Sequence, residues 1–202
     1  MAEKSGKPRG AYHHGDLRAH LIETVRQLVE EKGAEGFSIS QAARQASVSS
    51  AAPYKHFADK DEIIHAVVQE GFDRLRHCTD KAATAAESGD VDKVAAVGLA
   101  YVAFARREPG VFRLMFGLTA KHKQDPALMA SGHAAYDVLI REVTAALPKG
   151  STEDNIRSCA YMLWSFVHGH AFLQIDDKVD VAAVQSSEMQ IVTEATRRIL
   201  QL

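Results

Sequence analysis

The stretch "ASVSSAAPYKHFADKDEII", residues 46–64, decides the fold. It runs from small residues into Pro53, then Tyr54, Lys55, His56 and Phe57, and then into an acidic opening before Ile63 and Ile64. Upstream, "SISQAARQAS" reads as a short helix capped by Ser38, with Gln41 three residues on to complete a capping box. "VSSAAPYKHF" predicts a third short helix capped by Ser49, where Pro53 falls in a first turn whose amide donors lack intrahelical partners. Asp59 and Glu62 repeat the capping logic and open a long helix through Val67, Val68, Phe72 and Leu75 to about Ala86. Before all of these, Leu17, Leu21, Val25, Leu28 and Val29 recur at helical spacing, and Gly33 supplies a stop.

Two short helices separated by a tight turn and buttressed by a longer first helix make a helix-turn-helix unit. In such a unit the second short helix enters the DNA major groove, with its first residues at the base edges. The small side chains of Ser49, Ser50, Ala51 and Ala52 let that backbone approach the groove floor. Tyr54, Lys55, His56 and Lys60 are placed to meet phosphates, Phe57 to fold back as a core anchor, and Val48 to pin the turn. No arginine, asparagine or glutamine stands in the first turn, so the bidentate base pairings are missing there. Readout then rests on Ser40, Ser49, Ser50, alanine contacts to thymine methyls, and DNA shape. Gln41 and Arg44 on the second helix are the only long readers, and the capping Ser38 is counted with them as a contact. Lys4, Lys7 and Arg9 form a basic tail suited to an adjacent minor groove. Such a half-site discriminates weakly and requires a dimer on a palindrome.

The 202 residues carry 46% hydrophobic and 25% charged residues, ordinary for a globular protein. Net charge is −2, but it is unevenly placed: residues 1–60 hold nine Lys/Arg against seven Asp/Glu, and residues 61–202 fifteen against nineteen. The basic end is thereby directed at a polyanion. The N-terminus lacks the apolar core of a signal peptide. The longest apolar run, "VAAVGLAYVAFA" at 94–105, is too short to span a bilayer as a helix. Cys78 and Cys159 are far apart and read as buried thiols of a reducing compartment.

Alanine-rich amphipathic stretches continue to the C-terminus and predict an all-α chain of about nine helices. A fifth covers 91–107, "PGVFRLMFG" a sixth, 126–147 a seventh, and "STEDNIRSCAYMLWSFVHGHAFLQI" an eighth, capped by Ser151 or Thr152. A last helix over 181–202 carries an apolar stripe at Val184, Ile191, Ala195 and Ile199. The domain reading is a disordered basic tail at 1–11, a helix-turn-helix domain at 12–59, and a ligand-binding and dimerisation domain at 60–202.

With Ser38, Ala43, Val48, Ser49, "PYKHF" and "DKDEI" in this order, preceded by "AYHHGDLR", residues 12–75 resemble the TetR family of transcriptional repressors. "EPGVFRLMFG" and "LWSFVHG" are similar to a subgroup with a Trp…His-Gly signature. Ser47 stands at the family's usual turn glycine, a left-handed position costing a non-glycine residue on the order of 1 kcal/mol. Ala51 replaces a frequent glycine and Ala42 a frequent isoleucine.

The resemblance implies a bacterial, cytoplasmic homodimer that sits on the nucleoid when bound to a palindromic operator in double-stranded DNA. A small hydrophobic or aromatic effector releases it, and no cofactor or metal takes part. It further implies that helices five to eight enclose a pocket and that the last two pair with a second subunit. Pocket candidates are Tyr101, Phe104, Phe112, Met115, Phe116, Met129, His133, Tyr136, Trp164 and His168. For Trp164 and His168 a structural wedge is as good a reading as a ligand contact. Met162, Ser165, Gly169 and Phe172, with Ile191 and Ala195 on the last helix, form the expected dimer face. Glycine inside a helix costs about 1 kcal/mol against alanine, and close approach of another helix compensates for it.

Other function classes fit poorly. The histidine pairs at 13–14 and 168/170 point to different sides of a helix and lack a third ligand at i,i+4. Cys159 and His168 are nine apart on one helix and cannot meet. No nucleophile elbow, phosphate loop or carboxylate pair is present, so no enzyme is expected. A protein-binding module would leave Tyr54, Lys55, His56 and Lys60 without a purpose.

Overall fold

The computed structural model describes residues 14–86, 89–117, 125–178 and 186–201. The basic tail (Lys4, Lys7, Arg9) and the start of the expected last helix, Val184 included, lie outside the described residues. Within them the secondary structure is helical, with no strand. Eight α-helices are formed: α1 His14–Lys32, α2 Ile39–Gln45, α3 Lys60–Ala85, α4 Asp90–Arg107, α5 Pro109–Gly117, α6 Pro126–Ala146, α7 Glu153–Ile175 and α8 Glu188–Leu200. A short 3₁₀ turn, Pro53–Lys55, lies between α2 and α3. The chain divides into two compact units, 1–67 and 68–202, and the division falls inside α3.

In the first unit, Leu21, Ile22, Val25, Leu28 and Val29 of α1 are buried with Phe37, Ala42, Ala43 and Phe57. Gly33 ends α1 at φ +74 with its N–H donated to Val29 O, the left-handed stop for which glycine is suited. Ser38 Oγ accepts the Gln41 N–H at 3.2 Å, so this half of the expected box forms. The cap of α3 departs from the expected box by one residue. Asp59 Oδ1 accepts the Glu62 N–H at 2.9 Å, but the Glu62 carboxylate reaches back to the N–H of Ala58.

The second unit wraps α4 with α6, α7 and α8. Thr152 is the residue that caps α7, its side chain accepting the Asn155 N–H. The last helix starts later than its apolar stripe suggests, at Glu188, because Ser187 and Gln190 close a full capping box there. Arg74 of α3 donates through Nη2 to Glu108 Oε2 at 2.7 Å, tying α3 to the α4–α5 corner. Gly98 of α4 sits where an added Cβ would meet Val167 and Val192 at 3.1 Å, so α4, α7 and α8 approach closely at this glycine. Both cysteines are free; Cys159 is buried, Cys78 half-buried. No helix among the described residues is long and apolar enough to cross a membrane.

Candidate nucleic-acid interface and ligand cavity

The turn after α2 is a left-handed helix end built without glycine. Ser47 has φ +57; its N–H goes to Arg44 O at 3.1 Å, and the Val48 N–H goes to Ala43 O at 2.9 Å. These are the paired bonds that close a helix on a left-handed residue. Val48 beside it is half-buried.

The third helix is a correction to the sequence reading. Only Pro53–Lys55 is helical, as a 3₁₀ turn, and the bonds around it run three residues apart, Ala52 N–H to Ser49 O, Lys55 N–H to Ala52 O and His56 N–H to Pro53 O, before the Phe57 N–H reaches four back to Pro53 O. Pro53 has no N–H to return to Ser49, which removes the bond that would start an α-helix here. The expected side-chain cap from Ser49 is replaced by its carbonyl, which accepts the Ala52 N–H at 2.9 Å. Pro53 and Phe57 are buried beneath this element, and Arg18 lies over the Phe57 ring at 5.2 Å. The burial beneath turns the opposite side outward. Ser49, Ser50, Ala51, Tyr54 and Lys55 are exposed there, while Ala52 and His56 are half-buried. On α2 and its cap, Ser38, Ser40 and Arg44 are exposed and Gln41 is half-buried. Lys60 is partly engaged within the unit, its Nζ 4.6 Å from the Phe37 ring centre and 3.9 Å from Glu35.

The second unit holds a cavity of about 420 Å³. Its wall draws on all six helices of the unit: Phe72, Leu75 and Thr79 of α3, Gly98 and Tyr101 of α4, Phe116 of α5, Gly132, His133 and Tyr136 of α6, Tyr161 and Trp164 of α7, and Thr196 of α8. Five of the ten residues expected around a pocket therefore line it: Tyr101, Phe116, His133, Tyr136 and Trp164. Phe104, Phe112 and Met115 are buried in packing outside the lining, and Met129 is 46% exposed.

His168 stands one layer back. Trp164 Nε1 donates to Tyr101 Oη at 3.3 Å, and Tyr101 Oη lies 2.8 Å from His168 Nδ1. Phe112, Phe116, Trp164 and Phe172 pack their rings around that imidazole at 4.6–5.7 Å. Burial pushes the Tyr101 phenol up and the His168 imidazole down, so both are neutral near pH 7. Trp164 is thus a lining residue and His168 the group that holds Tyr101 in place.

Reasoning from sequence missed Phe72, Thr79 and Tyr161, whose spacing reads equally as core. The glycines inside "AVGLAY" and "ASGHAA" were the available signal for a close approach at Gly98 and for open space at Gly132.

On the outer side of α7, Met162 is 46% exposed and continues through exposed Ser165 and Gly169 to Leu173, 47% exposed. Among the described residues nothing lies within 4 Å of a Cβ placed on Gly169, so no described helix approaches it closely. Phe172 turns inward to the His168 cluster. Ile191 and Ala195 are half-buried along a groove of α8 that also includes Met189, 61% exposed.

Comparison with known proteins places this geometry. Residues 21–67 match the family of bacterial regulatory proteins of the tetR family, and residues 94–196 match the tetracyclin repressor-like C-terminal domain. The chain belongs to the TetR family. It is a DNA-binding transcription regulator and not an enzyme, with the helix-turn-helix in its first unit. The HTH-type transcriptional regulator Rv1816 of Mycobacterium tuberculosis is 23% identical over 225 residues, covering 96% of this chain and 94% of that one. A protein of unknown function from Rhodococcus sp. RHA1 is 30% identical, with a TM-score of 0.79 over 96% of this chain and 98% of that one. The TetR regulator PfmR of Thermus thermophilus shares the fold at 16% identity, with a TM-score of 0.60 over 90% of this chain and 97% of that one.

Proposed function

We propose that this TetR-family regulator is a homodimeric repressor, cytoplasmic and on the nucleoid when bound, released from a palindromic operator by a small hydrophobic effector. The observation that carries the reading is the continuity of α3. One unbroken helix runs from Lys60, beside the helix-turn-helix, to Ala85, and its Phe72, Leu75 and Thr79 are cavity wall. A ligand that displaces those side chains displaces α3, and with it the spacing of two paired helix-turn-helix units. That spacing must match a DNA turn of about 34–36 Å or a multiple of it. By linkage, operator binding then weakens the effector by the same factor.

The exposed apolar stripe from Met162 to Leu173, together with the α8 groove, supports pairing with a second copy. Ser165 and Gly169 give the stripe small residues over which a partner helix can pass. Ser49, Ser50, Ala51 and Ala52 are the proposed groove-facing residues. Tyr54, Lys55 and His56 are the proposed phosphate contacts, with Lys60 shared between DNA and its own unit. Ser38, Ser40, Gln41 and Arg44 complete the surface from α2.

Sites selected from random duplex DNA, titrated at two salt concentrations, test the reading. A palindrome with a steep salt dependence is expected, and Lys55→Ala, which removes one phosphate contact from each protomer, should reduce the logarithmic slope by about 2. Gly169→Arg should give a monomer by light scattering and lose operator affinity by roughly 100-fold, because two linked half-sites no longer act together. A dimer that persists in this variant would rule out the α7 face.

A further inference from the structure

We propose that the cavity takes an uncharged aromatic compound of about two or three rings whose polar group is a hydrogen-bond donor, such as a phenolic hydroxyl, and that it rejects carboxylates. This deepens the effector reading above and rests on it only for the consequence at DNA. Three observations converge on the ligand class.

The first is size and ring content. At about 420 Å³ the space lies toward the low end of small-molecule sites, and rings from several helices face it, among them Phe72, Phe116, Tyr136 and Trp164. Aromatic walls of this kind favour offset and edge contacts with a flat ligand. The second is charge. No Asp, Glu, Lys or Arg is among the described residues of the lining, and its one imidazole, His133, is exposed. A carboxylate entering such a space would lose its hydration and find no cation, which is strongly unfavourable.

The third is the direction of the hydrogen bonds. An indole N–H can only donate, so Tyr101 Oη is an acceptor from Trp164. The proposed tautomer is the one in which the Tyr101 O–H donates to His168 Nδ1, 2.8 Å away, and the neutral imidazole carries its hydrogen on Nε2; the distance alone fits either direction. The two buried lining threonines behave alike. Thr79 Oγ1 donates to Leu75 O at 3.0 Å, and Thr196 Oγ1 donates to Val192 O at 2.8 Å. All three deep hydroxyls have committed their protons to the protein and offer only lone pairs to the cavity. Against these three a ligand oxygen that only accepts finds no donor, whereas an O–H or N–H finds an acceptor; the other lining hydroxyls, on half-buried Tyr136 and exposed Tyr161, stand nearer the solvent side.

Calorimetric titration of the full-length protein at pH 7.5 with 2-naphthol, 2-methoxynaphthalene and 2-naphthoate tests this directly. These probes share a ring system and differ in donor and charge. The expected order is naphthol tightest, the methyl ether about 10-fold weaker, and the acid weakest. Tyr101→Phe should shrink the naphthol-to-ether ratio towards one, a readout that a general loss of stability would not mimic. Gly132→Leu should abolish binding by filling the space while leaving the fold intact, since a Cβ there meets the Phe72 ring at an ordinary 3.6 Å. Naphthoate binding as tightly as naphthol, an ether equal to the alcohol, or no saturable binding by any probe would overturn the inference. Naphthol binding that Gly132→Leu removes, with no change in DNA affinity measured in parallel, would uphold the ligand class and sink the effector role.

Discussion

Residues 14–67 bury Phe37 and Phe57 beneath an outer layer of serine, alanine, tyrosine and lysine, whereas residues 68–201 bury Phe104 and Phe112 around a space left open. In the first unit the core lies under the candidate site and the site is the outer surface. In the second the site lies inside the core and exists because side chains stop short of it. The two therefore respond oppositely to changes in volume. Removing bulk under the helix-turn-helix removes the platform; adding bulk in the cavity unit is harmful or harmless according to whether it lands in a helix contact or in the open space.

The largest effect expected from this difference is at Phe57. It is 2% exposed and anchors the 3₁₀ turn from below. Phe57→Ala should cost about 3–5 kcal/mol and unfold the first unit preferentially. Far-ultraviolet dichroism of the full chain should show partial loss of helix, DNA binding should vanish, and naphthol binding should persist. DNA affinity within a few-fold of the wild type would mean that the turn holds its shape without its anchor, and the contrast would fail.

Next in size is a pair of glycines on the cavity side. At Gly98 a Cβ would press on Val167 and Val192 at 3.1 Å, tighter than ordinary packing. Gly98→Leu should destabilise by about 1–3 kcal/mol through overpacking. At Gly132 the nearest atoms to the same Cβ belong to the Phe72 ring, at an ordinary 3.6 Å. Gly132→Ala should instead stabilise by about 0.8–1 kcal/mol, the helix propensity gained. Denaturant midpoints of the two variants should move in opposite directions; movement in the same direction would mean that the open space is not a property of the folded chain.

The same contrast explains what was legible beforehand. The helix-turn-helix is written in local chemistry: Ser38 and Asp59 as caps, Gly33 as a stop, Ser47 at a left-handed position, Phe57 as an apolar residue among polar ones. Each acts within a few residues of itself, so order along the chain carries the information. Even the error there was local, since Pro53 lacks the very N–H that an α-helix would use. The cavity has no such signature. Phe72, Tyr101, Phe116 and Trp164 are distant in sequence, and a ring that lines a void has the same helical spacing as Phe104 or Phe112, which fill one. What separates them is how far α3, α5, α6 and α7 stand apart, a result of tertiary packing.

Ser47 offers a smaller test on the first unit. A serine at φ +57 carries left-handed strain that glycine would relieve, partly offset by the greater freedom of glycine in the unfolded chain. Ser47→Gly should therefore stabilise by about 0.5 kcal/mol, seen as a higher denaturant midpoint with DNA affinity unchanged.

The least effect, and one confined to the second unit, concerns pH. His168 is ringed by Phe112, Phe116, Trp164 and Phe172, and burial holds its pKa below the ordinary 6.5. The unfolded chain therefore binds this proton first as pH falls. The stability contributed by neutral His168 is complete above about pH 6.5 and is lost as pH drops from there towards the folded value. His168→Gln keeps an acceptor for Tyr101 but cannot titrate. As pH is lowered below about 6.5, melting temperatures should fall less steeply in this variant than in the wild type, while the difference between the two proteins stays constant above that pH. Equal slopes would mean that the imidazole reaches water readily, and would remove the reason for directing the Tyr101 proton into the protein rather than towards the ligand.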